Sequence, residues 1–162
     1  MRFSTKEDLE IPIEQTFEML SDFENYERAA IKNGADVVRV DQATAKGVGM
    51  SWRATAPVRG RMRSFAVTLT EYEKPSVMRF DAESGGMIIN FVIDLVPLSR
   101  NRTRVRMELD IRPRTLSARL LMQSVRLARN TLNRRYKRRI ANFGEDLEDR
   151  YAAALRRGSS GV

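Results

Sequence analysis

The sequence predicts an α+β fold in which an antiparallel sheet of about seven strands is joined to two short helices and a long C-terminal helix. Three observations carry that expectation. Between Asp36 and Arg112, short apolar-rich segments recur between turn signals. The last of them, TRVRMELDIR, alternates strictly: Thr103, Val105, Met107, Leu109 and Ile111 share one face, and Arg104, Arg106, Glu108, Asp110 and Arg112 share the other. After Pro113 there is no further proline, and apolar residues recur at helical spacing.

In chain order, residues 2–10 read as a first strand. Pro12 stands where a helix can begin, because a missing N–H is harmless in the first turn, and Phe17, Met19 and Leu20 cover that helix's inner side. Ser21-Asp22-Phe23-Glu24 has the form of a capping box and predicts a second short helix starting at Ser21. Asn33-Gly34 supplies its left-handed stop. Turn signals at Lys46-Gly47, Pro57 to Gly60, Lys74-Pro75, Ser84-Gly85-Gly86 and Ser99-Arg100-Asn101 then divide residues 36–112 into a meander of six strands. From Thr115 or Ser117 one helix is expected to run to Arg156, with Gly144 as its weak point. This gives a single domain over residues 1–156 and a flexible tail over 157–162.

Composition narrows the chemistry. The chain of 162 residues has no Cys and no His, which excludes thiolate nucleophiles, imidazole bases and zinc sites built from those ligands. No metal and no cofactor is expected. The GVG at Gly47 to Gly49 lacks the third glycine and the strand-to-helix setting of a phosphate loop. The first residues carry charges where a signal peptide needs an apolar core, so a cytoplasmic location is expected. Lys and Arg number 29 against 21 acidic residues, a net charge of +8 that favours anionic partners.

Much of that charge lies in NTLNRRYKRRIANF, Asn130 to Phe143. On a helical wheel Leu121, Val125, Ala128, Leu132, Tyr136, Ile140, Phe143, Leu147 and Tyr151 form one stripe, and Arg119, Arg126, Arg134, Lys137 and Arg138 fall opposite. The basic run is therefore the solvated side of an amphipathic helix. Ten basic residues and no acidic one occur from Arg112 to Arg139, which leaves a positive surface for RNA or an anionic membrane. No RNP-type aromatic strand or KH-like GxxG accompanies it.

The order of elements, together with IPIEQTFEMLSDFENYERA from Ile11 to Ala29, resembles the START-like or SRPBCC superfamily, also called polyketide cyclase-like or helix-grip. The match lies in the opening passage (a hydrophobic residue, Pro, two polar residues, Phe, then Asp-x-x-x-Tyr) and in the long helix after Pro113. Glu27-Arg28-Ala29 stands where relatives often place Pro. The resemblance implies a curved sheet gripping the C-terminal helix around a cavity that, in relatives, holds lipids, sterols, quinones or polyketide intermediates. Coenzyme Q-binding and ribosome-associated relatives share the opening passage.

In such a fold the inward parities carry Trp52, then Phe65, Val67 and Leu69, then Met78 and Phe80, then Ile89, Phe91 and Ile93, and then Val105, Met107 and Leu109. These side chains either fill a core or line a pocket. Trp52, Phe65, Phe80, Phe91 and Met107 are the candidate ligand contacts, with Trp52 beside the small Ala54 and Ala56. Arg129 borders the apolar stripe and is the candidate partner of an anionic ligand end, the alternative being that it snorkels to solvent. No catalytic residue is assigned. Asp81, Asn90 and Asp94 face outward by parity, and Tyr72 faces inward only if its strand has a bulge. The strand from Met87 to Val96 is apolar on both faces, which asks for burial on both sides or a homodimer contact. Three functions remain in view: non-catalytic binding of a small hydrophobic or amphiphilic molecule, contact of the basic helix with ribosomal RNA or an anionic membrane, and a cyclase- or aromatase-like activity.

Overall fold

Strict alternation at the end of the meander becomes a strand buried on one face. A computed structural model describes residues 1–159. The elements are β1 (Arg2–Leu9), α1 (Ile13–Leu20), α2 (Phe23–Lys32), β2 (Asp36–Arg39), β3 (Ser51–Val58), β4 (Arg61–Glu73), β5 (Val77–Ser84), β6 (Met87–Ser99), β7 (Arg102–Pro113), α3 (Leu116–Leu127) and α4 (Arg129–Ser159). The strands form one antiparallel sheet of seven in the order β1-β7-β6-β5-β4-β3-β2, so β2 to β7 are the expected six-strand meander and β1 pairs at its far edge with β7. This is the helix-grip arrangement, with α1, α2 and α4 packed on the inner face.

Register fixes which side chains meet there. Trp52 stands opposite Val67, Val67 opposite Ala82, and Ala82 opposite Ile89. Leu69, Phe80, Phe91 and Leu109 make the next row, and Tyr72, Met78, Ile93 and Met107 the one after. Tyr72 joins the inner face because the β4–β5 register shifts between Leu69 and Glu71, the bulge its parity required. At the end of the sheet nearest α1, Leu9, Ile11, Phe17, Leu69, Met78, Leu95, Val105 and Leu147 are buried to 4 % exposure or less. Buried Thr103 belongs to this region, and its hydroxyl donates to the Ile11 carbonyl at 2.7 Å.

On the outer face Asn90 Nδ2 donates to Asp81 Oδ1 at 2.6 Å and Arg112 donates to Asn90 Oδ1 at 3.1 Å. Ile88 and Val92 are half-buried there. Arg112 and Glu83 stand opposite Ile88, and Glu108 and Arg79 opposite Val92, so charged side chains with apolar stems flank both.

Four expectations are corrected. Ser21 does not cap α2. It is buried at the end of α1, where its hydroxyl donates to the Phe17 carbonyl at 2.7 Å, and Asp22 occupies the cap position of α2 without a side-chain bond. A hydroxyl satisfying an i−4 carbonyl in the core is not available to the next helix. The long helix is two helices: Ala128, at φ −99 and ψ 12, ends α3, and α4 starts at Arg129. α3 rests on a separate cluster of Met87, Ala118 and Met122, whereas α4 lies against the main core, so the axis turns between two apolar beds. Gly144, the expected weak point, lies inside unbroken α4, where an added Cβ would come 3.0 Å from Leu9 Cδ2. Finally, α4 continues through Ser159, so residues 157–159 of the expected tail are helical; residues 160–162 lie outside the described residues.

Candidate ligand-binding site

The inner parities of the middle strands line an open-mouthed cavity of about 500 Å³. The sheet contributes Trp52 and Ala54 from β3, Val67 from β4, Phe80 and Ala82 from β5, Ile89, Phe91 and Ile93 from β6, and Met107 from β7. Phe23, Tyr26, Glu27 and Ala30 of α2 and Ile140 and Phe143 of α4 complete it, with Leu20 and Val37. That volume lies within the range of roughly 300–1,000 Å³ usual for small-molecule sites.

Aromatic rings organise the wall. Phe23 meets Trp52 edge-on at 5.5 Å and Phe80 at 6.0 Å, and Phe80 continues to Phe91 at 6.5 Å. Tilted and edge-to-face contacts of this kind hold the ring planes relative to one another. Beside them on the sheet Ala54 and Ala82, and on α2 Ala30, withdraw bulk from the walls, which is what leaves room.

Among the described residues Glu27 is the one carboxylate on this lining. Its Oε1 accepts from Trp52 Nε1 at 2.6 Å, so the indole is oriented by a charged acceptor. Arg39 lies near by: a bidentate hydrogen bond to Asp41 pushes its guanidinium up, and attraction from Asp41, Glu27 and Glu24 adds to this. Asp41 also accepts from the Ser51 amide at 2.8 Å, which ties the loop between β2 and β3 to the strand that carries Trp52. The Tyr26 phenol donates to the Met19 carbonyl at 2.8 Å; burial pushes its pKa up, partly offset by Arg150. Tyr136, on α4, donates to the Met107 carbonyl at 2.7 Å and holds the helix on β7 beside the cavity.

Of the side chains singled out in the sequence, Trp52, Phe80, Phe91 and Met107 line the cavity, and Phe65 and Arg129 do not. Phe65 is half-buried on the inner face, paired with the lining residue Ala54 at the margin of the cavity without lining it. Arg129 is exposed at the start of α4, because the turn at Ala128 takes it off the continuous stripe on which its position was judged. Arg119, Arg126, Arg134, Lys137 and Arg138 are all exposed. Sequence reasoning missed Tyr26 and Glu27. Their signal is helical spacing, since Phe23, Tyr26 or Glu27, and Ala30 fall three to four apart on one side of α2. Tyr72 faces inward but does not line the cavity, and its hydroxyl is buried with no hydrogen-bond partner among the described residues.

Residues 1–148 match the family model described as polyketide cyclase / dehydrase and lipid transport. No curated protein matches the sequence significantly. Among solved structures the chain is similar to the Zhui aromatase/cyclase of a Streptomyces species, with a TM-score of 0.69, 15% identity, and coverage of 95% of this chain and 97% of that one. It is also similar to a protein of Thermus thermophilus, with a TM-score of 0.66, 16% identity, and coverage of 95% and 99%. A START superfamily protein of Mycobacterium smegmatis aligns with a TM-score of 0.57 at 13% identity, over 83% and 95%. At these identities the likeness is one of fold.

Proposed function

This chain belongs to the polyketide cyclase / dehydrase and lipid transport family, and we propose that it binds, without transforming it, a small hydrophobic molecule with a flat ring system in the cavity between sheet and helices. The observation that carries this is the composition of the lining, which is aromatic and aliphatic throughout except for the Glu27 carboxylate and the Tyr26 phenol. Apolar walls supply the driving force, and one fixed polar group sets orientation. Because that group is an acceptor, the ligand presents a hydrogen-bond donor, such as a phenol or hydroxyl, where an anionic end had been expected.

Native mass spectrometry of freshly purified protein followed by organic extraction tests this directly: a stoichiometric ring-containing molecule is expected. The chain's single Trp is Trp52, so its emission reports occupancy. Quenching by 1-naphthol and by naphthalene is expected in the wild type and in neither case after Ala82→Phe. Glu27→Met should weaken 1-naphthol about tenfold and leave naphthalene unchanged, the signature of a lost hydrogen bond to a charged group. A clean apo mass together with unquenched Trp52 emission overturns the reading.

The place of Glu27 favours a second reading, in which the carboxylate takes a proton from an enolisable ligand held against the aromatic wall. The similar aromatase/cyclase fits that chemistry. Under it, the wild type but not Glu27→Gln accelerates deuterium exchange at the central carbon of a cyclic β-diketone; equal exchange in both leaves simple binding.

A further inference from the structure

α3 carries two apolar faces, and the protein covers only one. At about 100° per residue, Ala118, Leu121, Met122 and Val125 lie together and are buried or half-buried, the first three of them in the cluster with Met87, Met1 and Ile111. On the opposite side Leu116, Leu120 and Leu127 fall within about 40° of one another. They are 74%, 58% and 91% exposed. Arg119 and Arg126, seven residues apart, run along one flank of that stripe, and Ser117 and Ser124 along the other. No ion pair of Arg119 or Arg126 occurs among the described residues, and the nearest pair along the chain, Arg114 with Glu83 at 3.7 Å, is itself exposed.

Three exposed leucines in line are not the wet side of an ordinary surface helix, which is polar. Charge selects what covers them. With no acidic residue between Arg112 and Arg139, the stretch of chain that carries the leucine stripe bears only positive charge. RNA would answer the arginines and gain nothing from the leucines. An anionic bilayer answers both, with acyl chains for the stripe and phosphates for the flank.

We propose that α3 docks this protein on the surface of an anionic phospholipid bilayer, lying in the interface with Leu116, Leu120 and Leu127 inserted and Arg119 and Arg126 at the phosphates. The helix does not cross the membrane; no helix among the described residues is long and apolar enough to do so. This docking is independent of what the cavity holds.

Sedimentation of the full chain with vesicles of phosphatidylcholine containing about one quarter phosphatidylglycerol tests it. The wild type is expected to sediment with these vesicles, far less with pure phosphatidylcholine, and less as salt is raised. The triple change Leu116→Ser, Leu120→Ser, Leu127→Ser should weaken binding at least about tenfold, because only apolar burial is removed. The pair Arg119→Glu, Arg126→Glu should do the same through charge. Both sets replace exposed side chains, and unchanged far-ultraviolet circular dichroism and melting temperature show that the fold survives. The proposal is overturned if the wild type fails to sediment with anionic vesicles, or if the serine variant binds them as the wild type does. It is equally overturned if vesicles are ignored while single-stranded RNA is bound, or while light scattering shows a homodimer that the serine changes dissolve.

Discussion

Along the inner face of the sheet, the end around Leu9, Leu95, Val105 and Leu147 is filled, whereas the stretch from Trp52 to Met107 surrounds about 500 Å³ of space. Both are built from aliphatic and aromatic side chains on inward parities, so hydrophobicity does not separate them. At the filled end Ile11 from the bend after β1, Phe17 from α1 and Leu147 from α4 pack in one cluster with Leu69, Met78 and Leu95. At the hollow end α2 offers Ala30, and the strands below it offer Ala54 and Ala82. Whether an apolar strand face makes a core or a pocket depends on the volume supplied from the opposite layer.

The sharpest way to break this comparison is to truncate one residue at each end. Leu69→Ala, at 0% exposure, should cost about 3 kcal/mol by urea denaturation because it opens a new void among packed neighbours. Ile89→Ala, on the cavity lining, should cost about half as much, since it only enlarges a hollow. Equal costs would mean the two ends are packed alike.

Adding volume should give the same asymmetry in the opposite sense. Gly144→Val forces a side chain against Leu9 Cδ2, already 3.0 Å from an added Cβ, and should lower stability by about 2 kcal/mol in thermal melts. Ala82→Phe adds far more volume at the hollow end, yet should cost about 1 kcal/mol or less, because the cavity receives it. A large loss on Ala82→Phe would show that the hollow end cannot be filled.

A smaller effect isolates the polar contact beside the cavity. Tyr136→Phe removes the bond to the Met107 carbonyl and should cost about 1 kcal/mol at neutral pH. Burial, with the Glu108 charge adding to it, pushes the Tyr136 phenol up to about 12 from 10.0. The folded state thus holds this proton more tightly than the unfolded chain. Its stabilisation is complete below pH 10 and is lost as pH rises from 10 towards 12. Urea midpoints across that interval should converge between wild type and variant; a constant gap would mean that the phenol ionises at the same pH in both states.

The strands and their inward faces were legible because alternation is a local property: TRVRMELDIR shows its buried side without reference to the rest of the chain. Tyr72 shows how far such reasoning reaches, since its inward turn was tied to a bulge that the β4–β5 register contains. Ser21 and Arg129 show where it fails. A capping sequence and a helical wheel both assume that a helix begins or continues where the pattern permits, and packing moved both boundaries.

What the sequence determined by itself is the order of elements, the antiparallel meander, the inward parities that bring Trp52, Phe80, Phe91 and Met107 to one face, and the solvated side of the basic helix. What only the tertiary structure decided is that the space among those four side chains is open, that Glu27 meets Trp52 within it, that Phe65 and Arg129 fall outside, and that the C-terminal helix turns at Ala128 and leaves three leucines uncovered. Periodicity along a strand or helix is set by neighbours two to four residues away, whereas cavity volume and helix exposure are set by side chains far apart in the chain that meet across the layers, Ala30 of α2 over Ala54 and Ala82 of the sheet among them.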